Sequence, residues 1–394
     1  MFGYRKAFVV ATFQDLELWN IDYKIILIIS QVLGYMLAKF VGIKIISEMP
    51  ASRRASAILI FIGIAQAALL LFGLVPYPYN FIFLFINGFP LGMIWGLVFG
   101  FLEGRRFTEV LGAGLAVSFI VASGFVKSVG KLVLNIWDGS EFWMPFITGL
   151  LFTLPMLLFV WMLAKIPPPS NKDEILRTKR VPMNRADRLE FFKTFTPGLI
   201  LLVVAYIFFT AYRDFRDNFA VEIWNTLGFE NKAYIFTISE IPVAFGVLVI
   251  LGATIFIKNN RTAFWTNHLI IFFGAVCMGL GTIAFQAGLL GPVTWMILVG
   301  LGVFLGYVPY NITLFERLIA TFKRKSTAGF MIYVADAFGY IGSITVLMYK
   351  NFGMSEISYY NFFVNSGYVL AVFSVILLLF SFLYFKHKAK GYNV

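Results

Sequence analysis

The chain has 394 residues, of which 60% are hydrophobic and 13% charged, with a net charge of +12. That balance excludes a soluble globular domain, and because the basic residues fall in short segments between apolar runs, their excess reports membrane topology and not a nucleic-acid partner. One cysteine, Cys277, and two distant histidines, His268 and His387, give no disulfide framework and no metal-ligand cluster, so neither metal nor cofactor is expected.

A helix needs roughly 20 apolar residues to cross ~30 Å of hydrocarbon. A short apolar stretch, Met1 to Phe13, is interrupted by Arg5 and Lys6 and reads as the end of a first helix whose beginning is absent. Eleven full spans follow, near 24–46, 55–75, 79–102, 109–134, 143–165, 196–214, 233–257, 263–288, 292–316, 327–349 and 360–385. Unbroken apolar runs such as Phe146 to Ala164 exclude the alternating strands of a β-barrel. Alternate loops are basic: Lys44, Arg53 and Arg54; Arg105 and Arg106; Lys258 and Arg261; Lys323, Arg324 and Lys325; Lys386, Lys388 and Lys390. The positive-inside bias makes these cytoplasmic, together with the C-terminus, in a cell (inner or plasma) membrane. The opposite loops, with Asp15, Glu17, Asp138 and Glu141, face out.

The chain divides into an N-terminal half over 1–165, a basic cytoplasmic linker over 166–195 and a C-terminal half over 196–394. The halves repeat. Tyr4-Arg5-Lys6-Ala7-Phe8 has a counterpart in Tyr212-Arg213-Asp214-Phe215, Ile29-Ser30-Gln31 in Ile238-Ser239-Glu240, and Phe101-Leu102-Glu103-Gly104-Arg105 in Leu314-Phe315-Glu316-Arg317. Collinear matches in the same orientation mark a parallel repeat about an axis along the membrane normal. Chain reaching back to Thr196 precedes Tyr212, whereas Met1–Gly3 alone precedes Tyr4, so about a dozen residues of the first helix are expected to be missing.

Together these features define an all-α polytopic membrane protein of two parallel six-helix halves. It resembles the major facilitator superfamily, nearest in look to the organophosphate:phosphate antiporter branch. Tyr4-Arg5-Lys6-Ala7-Phe8, Tyr35-Met36-Leu37-Ala38-Lys39-Phe40 and Gly88-Phe89-Pro90-Leu91-Gly92-Met93-Ile94-Trp95 carry the likeness. The resemblance implies that an arginine on the first helix and one on the seventh hold phosphate, here Arg5 and either Arg213 or Arg216. Looser spacing of Gly42, Glu48, Arg53 and Arg54 after the second helix marks a divergent member.

Ionisable groups inside spans are costly and therefore candidates for function. Arg5 and Arg213 occupy repeat-equivalent positions, and paired guanidiniums suit a phosphate or carboxylate; Asp214 and Asp217 lie close enough to neutralise Arg213. Lys39 on the second helix, and Lys127 and Lys131 at i, i+4 on the fifth, call for an anion or for Asp336 on the eleventh. Asp336 and Glu240 are candidates for proton coupling or interhelix ion pairs, with Lys232 the acceptable partner nearest to Glu240 in sequence. Trp95, Tyr307, Tyr310 and Asn311 are further candidates for substrate contact, beside Tyr333 and Tyr340. Gly88, Gly92, Gly96, Gly100 and Gly104 recur every fourth residue and allow close packing of the fourth helix. No Walker-type loop or catalytic triad order is readable, so no enzyme activity is expected. The sequence points to a monomeric secondary transporter in the lipid bilayer for a small, anionic organic solute, phosphorylated or carboxylated, by symport or antiport. The alternative is a non-transporting solute sensor on the same fold.

Overall fold

The computed structural model describes residues 1–102, 108–137, 140–167, 185–230, 232–323 and 328–391. Gly104, Arg105, Arg106, Asp138, Arg324, Lys325 and linker residues 168–184 lie outside these.

The helices begin and end where local chemistry dictates. A short helix α1 (Phe2–Arg5) and a 3₁₀ turn (Ala7–Val10) lead to a two-residue-per-strand hairpin, β1 (Glu17–Leu18) and β2 (Ile21–Asp22). Its tip residues, Trp19 and Asn20, both have positive φ, 58° and 57°, the conformation that matches a tight turn to the twist of the strands. Helix α2 (Tyr23–Glu48) stops before Pro50, the N-cap of α3 (Ala51–Leu74). Helices α4 (Phe81–Leu102) and α5 (Thr108–Trp137) follow.

The predicted span 143–165, the fifth of the eleven, is not one straight helix. It consists of α6 (Met144–Leu151) and α7 (Thr153–Ala164), bent by 44° at Phe152. Pro155 has no N–H to give to the carbonyl of Leu151, and its ring crowds the preceding turn, so the ladder opens there. It resumes with Met156 N donating to Phe152 O at 3.0 Å.

In the second half come α8 (Arg185–Asn218), α9 (Ala220–Thr226), α10 (Ile235–Ala253), α11 (Asn260–Gln286), α12 (Pro292–Ile312), α13 (Leu314–Phe322), α14 (Ala328–Met348) and α15 (Tyr359–Lys390). Side chains cap two of them: Asn259 accepts from Thr262 N, and Ser358 from Asn361 N. The predicted span 292–316 ends earlier, at Ile312. Thr313 departs from helical backbone with φ −127°, its hydroxyl donating to Asn267 Oδ1 at 2.7 Å, and α13 then runs separately. Among the described residues, ten helices, or eleven counting α6 and α7 as one, are long and apolar enough to cross a membrane. This is a multi-pass membrane protein.

Within the first half α4 packs on α2 and α3; within the second, α8 packs on α14 and α15, and α11 on α12 and α15. The halves meet where α2 lies on α14 and α5 on α10. Glycine sets how near α4 comes to α2. A Cβ on Gly88 would lie 2.2 Å from the carbonyl oxygen of Gln31, and one on Gly34 as close to that of Phe85. The glycine row is not one face, because a step of four residues drifts about 40° around a helix with 3.6 residues per turn. Gly88 and Gly92 face α2, whereas Gly100 has turned to face the Arg54 guanidinium of α3; Gly96 between them is half-buried.

Candidate functional site: a charged cavity between the halves

A cavity of about 80 Å³ sits between the halves. Arg5 and Lys6 reach it from the end of α1, Tyr35 and Lys39 from α2, Trp95 from α4, and Phe119 and Ser123 from α5. The second half supplies Arg213, Asp214, Arg216 and Asp217 on α8, Glu240 on α10, Phe304, Tyr307 and Asn311 on α12, and Asp336 and Tyr340 on α14.

Burying an ion costs several kcal/mol unless an opposite charge answers it. The membrane-crossing stretches of the first half, Tyr23–Gly42, Ser52–Leu74, Phe81–Leu102, Val110–Ile136 and the bent pair Met144–Leu151 and Thr153–Ala164, contain no Asp or Glu, the acids Glu48 and Glu109 lying at helix ends outside them. Those of the second half place Asp214, Asp217, Glu240 and Asp336 in the interior. The buried lysines of the first half therefore draw their counter-charges from across the interface. Lys39 Nζ lies 2.9 Å from Asp336 Oδ2, with side-chain exposures of 2% and 4%. Lys6 Nζ lies 2.8 Å from Asp217 Oδ2 and donates to Asn218 Oδ1 at 2.7 Å. Lys127 pairs with the other oxygen of Asp217, to which Ser123 also donates. At the start of α2, Lys24 pairs with Glu222 of α9.

The arginines of α8 are answered within their own half. Arg213 Nη2 lies 2.8 Å from Asp214 Oδ1, while Ser343 donates to the second oxygen of that carboxylate at 2.8 Å. Arg216 Nη1 lies 2.7 Å from Glu240 Oε1 and its Nη2 donates to Met296 O at 3.2 Å. Two sequence expectations are corrected here. Lys127 is answered by Asp217, not by Asp336, and Glu240 is held by Arg216, not by Lys232.

Arg5 stands apart. It is 5% exposed, makes no ion pair among the described residues, and its Nε is buried without a hydrogen-bond partner. Its guanidinium lies over the Tyr35 ring at 3.7 Å and 5.8 Å from the centre of Tyr340. Arg213 stacks in the same manner over Tyr307 at 3.9 Å, and its Nη2 comes within 3.5 Å of the Tyr340 hydroxyl. Tyr340 thus separates the two repeat-equivalent arginines. What differs is the next residue: Asp214 after Arg213, Lys6 after Arg5. Arg5, Lys6, Lys39, Arg213 and Arg216 of the cavity lining, with Lys127, which lies outside the lining but pairs with Asp217, stand against Asp214, Asp217, Glu240 and Asp336, leaving two positive charges in excess.

Not every candidate reaches the cavity. Tyr307 and Asn311, one helical turn apart, do; Tyr310 between them is buried against Tyr206 and Phe315, with ring centres 4.9 and 5.8 Å away. Lys131 is half-buried and lies outside the cavity lining. Trp95 lines the cavity and stacks on Phe99 at 4.9 Å. Asp336 also accepts from the Tyr206 hydroxyl, which in turn accepts from Asn311 Nδ2 at 3.0 Å. Sequence reasoning missed Lys6, although it adjoins Arg5, and missed Tyr35, Phe119 and Phe304, which had no charge to mark them.

The sequence matches one protein family along nearly its whole length, residues 7–388. The chain belongs to DUF5690, a family of unknown function. No curated protein matches it. Solved structures similar to this family member include a D-xylose-proton symporter, at 16% identity and TM-score 0.62, covering 96% of this chain and 94% of that one. Another is the human organic anion transporter MFSD10 (TETRAN), at 14% identity and TM-score 0.55, covering 90% of this chain and 83% of that one. At such identities the likeness concerns the fold, and this is the major facilitator fold. Nothing in these neighbours singles out the organophosphate antiporter branch.

Proposed function

We propose that this membrane protein is a secondary active transporter for a small organic anion, working by alternating access, with Arg5 as the group that receives the anionic end. One observation carries the reading: after every other cation at the cavity is matched to a carboxylate, the Arg5 guanidinium remains without one. A cation held in a dry site without a counter-charge is a standing cost that a bound anion removes. Arginine also offers a planar fork of donors to a carboxylate or phosphate. An anion seated at Arg5, with Arg213 across Tyr340, supplies the negative charge that the first half lacks and adds one more bridge between the halves.

The lysine bridges to Asp217 and Asp336 tie the halves in this conformation. Rocking of one half against the other breaks such bridges and re-forms them, as alternating access requires. The similarity in fold to a proton symporter and an organic anion transporter supports the transport reading.

The test is counterflow of labelled anions into proteoliposomes, with and without a pH gradient, comparing the parent with Arg5→Gln. Saturable uptake of an anion that R5Q abolishes supports the proposal. Uptake of neutral or cationic solutes by both proteins alike overturns it. Binding of an anion without any movement would make the protein a sensor on a transporter fold.

A further inference from the structure

The walls of the cavity bear on what the anion carries behind its charge. Resting on the anion reading above, we propose that the substrate is a monocarboxylate with a flat aromatic body, and not a sugar phosphate or other polyol.

Three features of the cavity point there. First, its carboxylates are all engaged: Asp336 by Lys39 and Tyr206, Asp217 by Lys6, Lys127 and Ser123, Asp214 by Arg213 and Ser343, Glu240 by Arg216. Each carboxylate already has a cationic partner, so a substrate ammonium group meets no uncompensated negative charge, although Glu240 Oε2 has no hydrogen-bond partner of its own; this disfavours amino acids and amines.

Second, two of the uncharged polar side chains that a polyol would need, Asn311 through its Nδ2 and Ser123, already serve the protein. Asn311 Nδ2 serves the Tyr206 hydroxyl and Tyr307 O at 3.0 and 3.3 Å. Ser123 serves Asp217 at 2.6 Å. Each hydroxyl brought in from water without a replacement partner loses hydrogen bonds, and the loss grows with the number of hydroxyls.

Third, what remains facing the cavity is aromatic, and both halves supply it. Phe119 of α5 meets Phe304 and Tyr307 of α12 at 6.0 and 6.5 Å between ring centres, tilted and edge-on. Trp95 stands on α4 and is only half-buried. Rings set at such angles accept another ring edge-to-face or offset, adding directional contact to the burial of apolar surface. The charge fits one anionic group. Arg5 is the cation without a carboxylate, while the other excess charge is shared by Lys6 and Lys127 around Asp217, with Lys6 further held by Asn218.

The experiment measures binding to the purified full-length protein by competition against radiolabelled benzoate, using acetate, inorganic phosphate, glycerol 3-phosphate, glucose 6-phosphate and xylose as competitors. Benzoate is expected to bind about tenfold or more tightly than acetate, the scale of one well-packed ring, and the phosphate esters to compete more weakly than benzoate. Phe119→Ala is expected to reduce the benzoate-to-acetate ratio severalfold, and Phe119→Leu, which keeps the volume but removes the ring, to reduce it as well. If inorganic phosphate or a phosphate ester binds more tightly than benzoate, and R5Q abolishes that binding, the aromatic assignment fails while the anion reading stands. A benzoate-to-acetate ratio near one also refutes the aromatic assignment. If xylose binds and R5Q leaves its binding intact, both fall.

Discussion

Consider the bridge between Lys39 and Asp336, the most deeply buried ion pair joining the halves. At 2.9 Å and an effective dielectric constant near 20, the attraction is about 6 kcal/mol, most of which offsets the desolvation of both ions. The large effect comes from breaking one side only. In Asp336→Asn the Lys39 ammonium keeps no charged partner, only a neutral amide and the faces of Tyr35 and Tyr333, with ring centres 5.2 and 5.5 Å away. In Lys39→Met the Asp336 carboxylate keeps the Tyr206 hydroxyl. Each single change is expected to cost about 3–5 kcal/mol. The double variant K39M/D336N, which leaves no buried charge, should cost less than either. For a chain of this size such a loss lowers the thermal midpoint by roughly 3–10 °C, readable from the thermal unfolding of purified protein in one detergent. If the double variant loses the sum of the two singles, or if each single stays within about 1 °C of the parent, the pair does not hold the halves and the electrostatic reasoning is wrong.

The same logic separates the two repeat-equivalent arginines. Arg213→Gln strands Asp214 with Ser343 alone and should destabilise the protein by about 3–5 kcal/mol, with R213Q/D214N recovering much of it. Arg5→Gln removes a cation with no carboxylate, so unfolding should be unchanged or slightly later, while anion binding falls by about 30-fold or more; a destabilised R5Q would reveal a partner the geometry does not contain. Glu222 is 21% exposed at its side chain but Lys24 only 2%, so Glu222→Gln strands a buried ammonium that a half-open carboxylate had answered and should cost about 1–3 kcal/mol, less than the change at Asp336, in the same unfolding assay. Gly88→Ala forces its Cβ against the Gln31 carbonyl and should cost about 1–3 kcal/mol or more. Gly63→Ala, which meets nothing within 4 Å, should be neutral or mildly stabilising.

Much of the fold was legible because membrane insertion is written locally. A run of about 20 apolar residues is a span whatever its neighbours are, but its ends are less legible: α8 begins at Arg185, inside the expected linker, and runs on to Asn218, while Pro155 and Thr313 break spans that read as continuous. The spacing of Gly88 and Gly92 likewise announced a close helix contact, but the partner, α2, and the turn of Gly100 towards Arg54 did not follow from spacing. The hairpin at Trp19 carried no glycine signal and read as an acidic loop.

The sequence by itself also showed a charge imbalance: the apolar interiors of the first-half spans hold Lys39 and Lys127 and no carboxylate, while Asp214, Glu240 and Asp336 lie in spans of the second half, with Asp217 just beyond one of them. Composition along a chain counts such charges but does not pair them. Pairing depends on how each helix is rotated about its axis and which helix it meets, and those are set by side-chain packing between segments far apart in sequence. Only the tertiary structure gave Asp217 to both Lys6 and Lys127, Glu240 to Arg216 and Asp336 to Lys39, turned Tyr310 away from the cavity and left Arg5 without a counter-charge. The arginine is readable in the sequence; that it has no carboxylate is a property of the packed halves.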